Sequence, residues 1–168
     1  AYQMEAALQF FAPDVPRHLF PDWETLPYDV FSPHEDIISE RLKTLATLEN
    51  LQRGILIAPA TTLLHRLAPT AYVHGHTFIL RKGSPLNMDK LRKQLEAAGY
   101  RHVSQVMAHG EYASRGSLVD LFPMGSQTPY RLDLFDDEID SIRTFNPETQ
   151  RTDELVDSIE LLPAREFP

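Results

Sequence analysis

The sequence predicts a partial α/β domain followed by an α+β domain with a mainly antiparallel sheet and a packed helix. Three observations carry this. GILIAP, from Gly54 to Pro59, is a short apolar run of the kind that forms a buried parallel strand. Three strand candidates then follow one another after residue 116 with short, turn-rich links, the pattern of an antiparallel sheet. Charge shifts along the chain: residues 1–76 carry 9 acids and 5 bases, residues 77–110 carry 2 acids and 6 bases, and residues 111–168 carry 13 acids and 5 bases. The shift near residue 76 sets the expected boundary, with residues 1–76 the partial α/β part and residues 77–163 the α+β domain.

The elements follow in order. Residues 1–11 form an apolar helical pattern. Five prolines between Pro13 and Pro33 then force an extended, loop-rich segment. His34 to Leu48 reads as a helix, with Ile38, Leu42 and Leu45 on one face. After GILIAP, Thr61 or Thr62 is placed to cap a brief helix. Thr77 to Leu80 reads as a strand. Asn87 is an N-cap for a helix to Ala98 whose apolar face is Met88, Leu91 and Leu95, and Gly99 stands where a left-handed C-terminal residue belongs. Strands are expected at Ser117–Phe122, Tyr130–Phe135, Ile139–Phe145 and roughly Leu155–Leu162. Met124–Pro129 and Asn146-Pro147 supply turn chemistry.

Composition excludes several classes. The chain has 168 residues, no cysteine and 42% hydrophobic residues, so disulfide frameworks and thiol chemistry are ruled out. No apolar run approaches the ~20 residues of a membrane span. The net charge of −8 argues against wrapping nucleic acid. It fits a cytoplasmic protein that docks onto another protein. Residues 77–110 offer a basic patch, but Lys90, Arg92 and Lys93 read more simply as the solvated face of a helix. The opening AYQMEAALQFFAPDVP has no initiator Met and no signal-peptide pattern, and LLPAREFP ends just after a strand-like run; both ends read as cut from a longer protein.

Catalytic chemistry is sparse. No G-x-x-x-x-G-K-[ST] cradle follows GILIAP, so ATP hydrolysis by this chain is not expected. His74 and His76, two apart, would share a strand face and hold a metal only with a third ligand; a polar loop at the domain boundary is the simpler reading. The acids of residues 136–140 in FDDEID offer a carboxylate cluster, yet Asp136 and Asp137 lie between two strands, where turns select Asp. No nucleophile elbow or triad stands out. In PYRLDLF, strand alternation puts Tyr130, Leu132 and Leu134 on the core side and Arg131, Asp133 and Phe135 on the other. Phe135 is then either an exposed interface anchor or a ring tucked under a loop, with Arg131 paired to an acid. Arg115 precedes Gly116, which is expected to mark a backbone kink or bulge where a strand begins. Asp120 shares a face with Leu118 and Phe122, and is expected to accept hydrogen bonds from backbone or an Arg.

These residues meet a known family. HGEYASRGSLVDLFPMGS (109–126) and PYRLDLFDDEIDSIRTFNPETQR (129–151) resemble the damage-handover module shared by the bacterial excinuclease protein UvrB and the transcription-repair coupling factor (Mfd). DWETLPYDVFSPHEDIISERLKTL (22–45) and AGYRHVSQVMAHGEY resemble the coupling factors specifically. The resemblance spans essentially the whole chain. It implies part of a first UvrB-like α/β domain, a complete UvrA-binding domain, and at 164–168 the start of a return segment. The strand that carries a phosphate loop in the UvrB family would lie upstream, and the ATP-driven translocase and the RNA polymerase contact far downstream.

The resemblance also implies a docking function. In this family two arginines and an aromatic on the sheet bind UvrA, and the matching positions are Arg115, Arg131 and Phe135. The chain would present a UvrB-like face that draws UvrA to a stalled polymerase, in competition with UvrB, and a C-terminal domain of the longer protein would mask that face. No cofactor is expected here. The competing expectation is a nucleotide- or metal-dependent enzyme fragment using His74, His76 and the acids of residues 136–140.

Overall fold

The first helix, α1 (Tyr2–Phe11), buries none of its residues. In this computed structural model, which describes residues 2–25 and 32–167, the proline-rich segment that follows is not all loop. It contains β1 (Arg17–Leu19), and Pro27 lies outside the described residues. Helix α2 (Glu35–Leu48) starts at His34, whose ring accepts a hydrogen bond from the Asp36 amide. The apolar run forms β2 (Ile55–Ile57), which pairs in parallel with β1.

Two local expectations need correction. Thr61 does occupy the position before the short 3₁₀ turn at Thr62–Leu64, but its hydroxyl does not cap that turn. It donates to the Asp22 carboxylate instead, and that hydrogen bond is the main reason the Asp22 carboxyl is held below its ordinary range. Beyond the 3₁₀ turn, α3 (Thr70–Gly75) forms where no element was expected.

The second part follows the sequence more closely. After β3 (Phe78–Arg81), α4 (Met88–Ala97) is capped by Asn87, whose Oδ1 accepts from the Lys90 amide at 2.9 Å. Gly99 closes the helix at φ 89°, a conformation that a side chain strains. Six strands then build one sheet in chain order: β4 (Arg101–His102), β5 (Glu111–Arg115), β6 (Leu118–Leu121), β7 (Tyr130–Phe135), β8 (Glu138–Phe145) and β9 (Thr152–Val156). All neighbours are antiparallel except β4 and β5. The single strand expected over Leu155–Leu162 is two. The chain leaves the sheet at Asp157, whose carbonyl accepts from Lys82, and β10 (Ser158–Leu161) pairs with β3 elsewhere.

Helix α4 covers the inner face of this sheet. Leu91 and Leu95 meet Tyr112, Val119, Leu121, Leu132, Leu134, Ile139 and Ile142, all buried, in one apolar cluster. Leu42 of α2 and Val73 of α3 join the same cluster. Fully burying one such side chain contributes about 1.5–3 kcal/mol, so the inner face dominates stability and leaves the outer face free to serve another end.

Candidate functional site

The outer face of the six-stranded sheet carries the candidate site. Cross-strand register aligns Ala113, Asp120, Arg131, Arg143 and Leu155 in one row across β5 to β9. A second row places Arg115, Leu118 and Asp133 side by side. Ala113 of the first row packs with Val106, Phe122 and Phe145 in a small apolar cluster. Its Phe145 ring is the apolar floor under Arg131.

Arg131 organises this face. Its Nε and Nη2 donate to the two carboxylate oxygens of Asp120 at 2.6 and 2.8 Å, a bidentate fork. Its guanidinium lies 4.8 Å over the Phe145 ring. Nη1 donates to the Gln150 carbonyl at 3.2 Å. The bonds from Asp120 push the Arg131 guanidinium above its already high ordinary value, so it is charged at any working pH. Asp120 is itself buried, and Arg115 reaches the same carboxylate at 3.6 Å. One enclosed acid therefore ties two arginines from two strands. The expectation that Asp120 accepts from an Arg holds, and so does the reading that Arg131 pairs with a neighbouring acid.

Arg115 needs a correction of context. A strand does begin just after it, but Arg115 itself ends another, β5, and Gly116, at φ 59°, turns the chain into β6. The Gly is a hairpin residue, not a bulge. Arg115 stays exposed at this turn.

Phe135 ends β7 and does not tuck under a loop. It is 73% exposed, on the same side of the strand as Arg131 and Asp133. The next residue, Asp136, takes φ 54° at the tip of the β7–β8 hairpin, which is the turn role expected of Asp136 and Asp137. The acids of residues 136–140 are thus spread over a hairpin tip and the start of β8.

His74 and His76 do not share a strand face. His74 lies in the last turn of α3, with Nε2 2.5 Å from the Glu49 carboxylate, and His76 caps that helix with Nδ1 2.9 Å from the Tyr72 carbonyl. The polar loop that was the simpler expectation is also replaced, by a short helix that starts after Pro69 and that His76 ends. Among the described residues no three His, Asp or Glu side chains converge as a metal set. No helix among them is long and apolar enough to cross a membrane.

Two contributors were not singled out from sequence. Gln150, at φ 60°, turns its carbonyl and side chain toward Arg131, and its amide donates to Pro147 at 2.7 Å. Phe145 is the floor beneath Arg131. A left-handed Gln has no sequence signal, whereas Phe145 could have been found by carrying strand alternation from Arg143 to the next outward position.

Known proteins share this sequence over most of its length. Residues 78–167 match the family described as "UvrB interaction domain". The chain is 63% identical over 147 residues to a protein of Escherichia coli named transcription-repair-coupling factor, covering 88% of this chain and 13% of that protein. Proteins of the same name from Haemophilus influenzae and Bacillus subtilis are 61% identical over 150 residues and 32% identical over 149. Each alignment covers 89% of this chain. The chain spans about 13% of the length of these relatives.

Proposed function

The chain belongs to the UvrB interaction domain family, and from that premise we propose that it is a UvrA-docking module. It binds and does not catalyse. Residues 77–163 are the docking unit, residues 1–76 a partial UvrB-like layer, and residues 164–168 the start of a return segment. Arg115, Arg131 and Phe135 are the docking residues.

The observation that carries this reading is Phe135. An aromatic held 73% in solvent at the end of a strand, on the same face as the Asp120-held Arg131, is the form of an interface anchor. The roles of the three residues then differ. Phe135 and Arg115 reach furthest toward the partner, and Arg131, held in place by Asp120, meets it with the edge left open to solvent.

In the longer coupling factor this face mimics UvrB, draws UvrA to a stalled RNA polymerase in the cytoplasm, and is masked by a C-terminal domain until the motor engages. That motor, an ATP-driven DNA translocase, and the polymerase contact belong to other parts of the longer protein. UvrB competes for the same UvrA surface. A chain without the masking domain therefore binds UvrA more tightly than the whole protein, since no part of it is held in a closed state.

The test is a titration of this chain with UvrA at two salt concentrations. Wild type binds and is displaced by UvrB, while Phe135→Ala loses about 2 kcal/mol, roughly thirtyfold, as expected for an anchor. Absence of binding by wild type, or an undiminished affinity of Phe135→Ala, overturns the reading.

A further inference from the structure

The outer face does not stop at β7. Arg143 on β8 stands directly opposite Arg131, and Leu155 on β9 directly opposite Arg143. Like charges facing each other across two strands destabilise a sheet, so this placement has no benefit to the fold alone. Asp120 neutralises Arg131 but does not reach Arg143. Among the described residues no carboxylate lies within ion-pair distance of Arg143. Beside it, Leu155 is 65% exposed. The exposed acids Asp133 and Glu138 lie further along β7 and β8, Asp133 accepting from the Ser117 hydroxyl at 3.4 Å and Glu138 standing opposite Phe135. The result is a cation and an apolar side chain held together on a rigid sheet, in a chain whose net charge is −8.

We propose that Arg143 and Leu155 form a second anchor pair of the docking face, which takes an apolar side chain flanked by a carboxylate on the surface of UvrA. The proposal rests on the docking reading above. Its footprint runs from Arg115 on β5 to Leu155 on β9, four strand spacings or about 19 Å, which suits an interface of ordinary size. Charge complementarity selects the partner surface: Arg143 has no acid of its own, and Arg115 has only a long 3.6 Å contact to the Asp120 that Arg131 already holds, so the cations on either side of that pair favour an acidic partner. Continuity with Phe135 and Arg115 places both anchor pairs on one partner.

The experiment measures UvrA affinity for wild type, Phe135→Ala, Arg143→Gln, Leu155→Ser and the control Lys90→Ala on α4, at two salt concentrations, with melting curves for each. Neither new variant lowers the melting midpoint, because both side chains are exposed, and Arg143→Gln raises it slightly by removing the like charge opposite Arg131. Each weakens binding about tenfold. Arg143→Gln also flattens the salt dependence, and Leu155→Ser does not. Lys90→Ala stays at wild-type affinity. If Phe135→Ala loses affinity while Arg143→Gln and Leu155→Ser bind within twofold of wild type, the second anchor is overturned and the docking reading stands. If wild type itself does not bind, both fall together.

Discussion

The protein builds the same device twice, around Arg41 and around Arg131. Each guanidinium forks onto a carboxylate, donates to a backbone carbonyl and lies over an aromatic ring. Arg41 holds Glu166, donates to Pro21 at 2.6 Å and packs over Phe20 and Trp23 at 4.2 and 4.9 Å. Arg131 holds Asp120, donates to Gln150 and covers Phe145. The surroundings differ. Arg41 and Glu166 are enclosed on every side, and Trp23 Nε1 donates to the same carboxylate at 3.0 Å. Arg131 keeps one edge toward solvent, and its acid comes from the neighbouring strand rather than from 125 residues away. The enclosed pair joins α2 to the end of the chain. The half-open pair does no long-range joining and instead fixes a surface. One set of contacts thus serves architecture or recognition according to what lies outside it.

Breaking the enclosed pair has the largest expected effect. Glu166→Ala leaves a buried guanidinium without its counter-charge and the Trp23 indole without an acceptor. The expected loss is about 3–5 kcal/mol, measured by urea unfolding. Replacing both partners by apolar residues, as in Arg41→Met with Glu166→Leu, recovers most of it, because the penalty comes from the orphaned charge. Equal losses in single and double variants would show that packing, not charge, carries this contact.

The half-open pair is expected to give less. Arg131→Ala leaves Asp120 buried, with Arg115 still near it at 3.6 Å and able to draw closer. The expected loss is about 2–3 kcal/mol, the scale of a lost hydrogen-bonded charge. Asp120→Asn with Arg131→Gln regains stability, since neither partner is then a lone ion. A loss in Arg131→Ala as large as in Glu166→Ala would erase the distinction between the two arginines.

What the sequence revealed follows the same divide between local and long-range causes. Helix α4 was legible from its ends, because Asn87 and Gly99 act within one turn. The outward set of Arg131, Asp133 and Phe135 was legible because alternation on a strand is a local rule. Strand β5 was missed: Ala113 and Ser114 carry weak strand preference, and what makes Glu111–Arg115 a strand is pairing with β6. Arg41 was not singled out either. It sits beside Leu42 and three residues after Ile38, inside the apolar stripe of α2, and that placement was the available signal. Its partner Glu166 had none, since nothing local links residues so far apart. The break at Asp157 likewise reflects a choice between two sheets.

The smallest effect separates charge from hydrogen bonding in holding the end of the chain. Tyr100 donates its phenol hydrogen to the Leu162 carbonyl at 2.8 Å and accepts from the Met124 amide at 3.3 Å, so it grips the same segment as Arg41 without any charge. Burial pushes the Tyr100 phenol up from its ordinary value, with the Met124 amide opposing weakly. The folded chain thus keeps a proton that the unfolded chain releases near pH 10. Its contribution is complete below about pH 10 and is lost as pH rises from there through the raised folded value. Burial raises the Tyr112 and Tyr72 phenols in the same direction. Tyr100→Phe should cost about 1 kcal/mol at neutral pH and flatten most of the fall in stability between roughly pH 10 and 11, read by urea unfolding at each pH. An unchanged alkaline fall would mean that the other tyrosines, not this contact, set the alkaline limit.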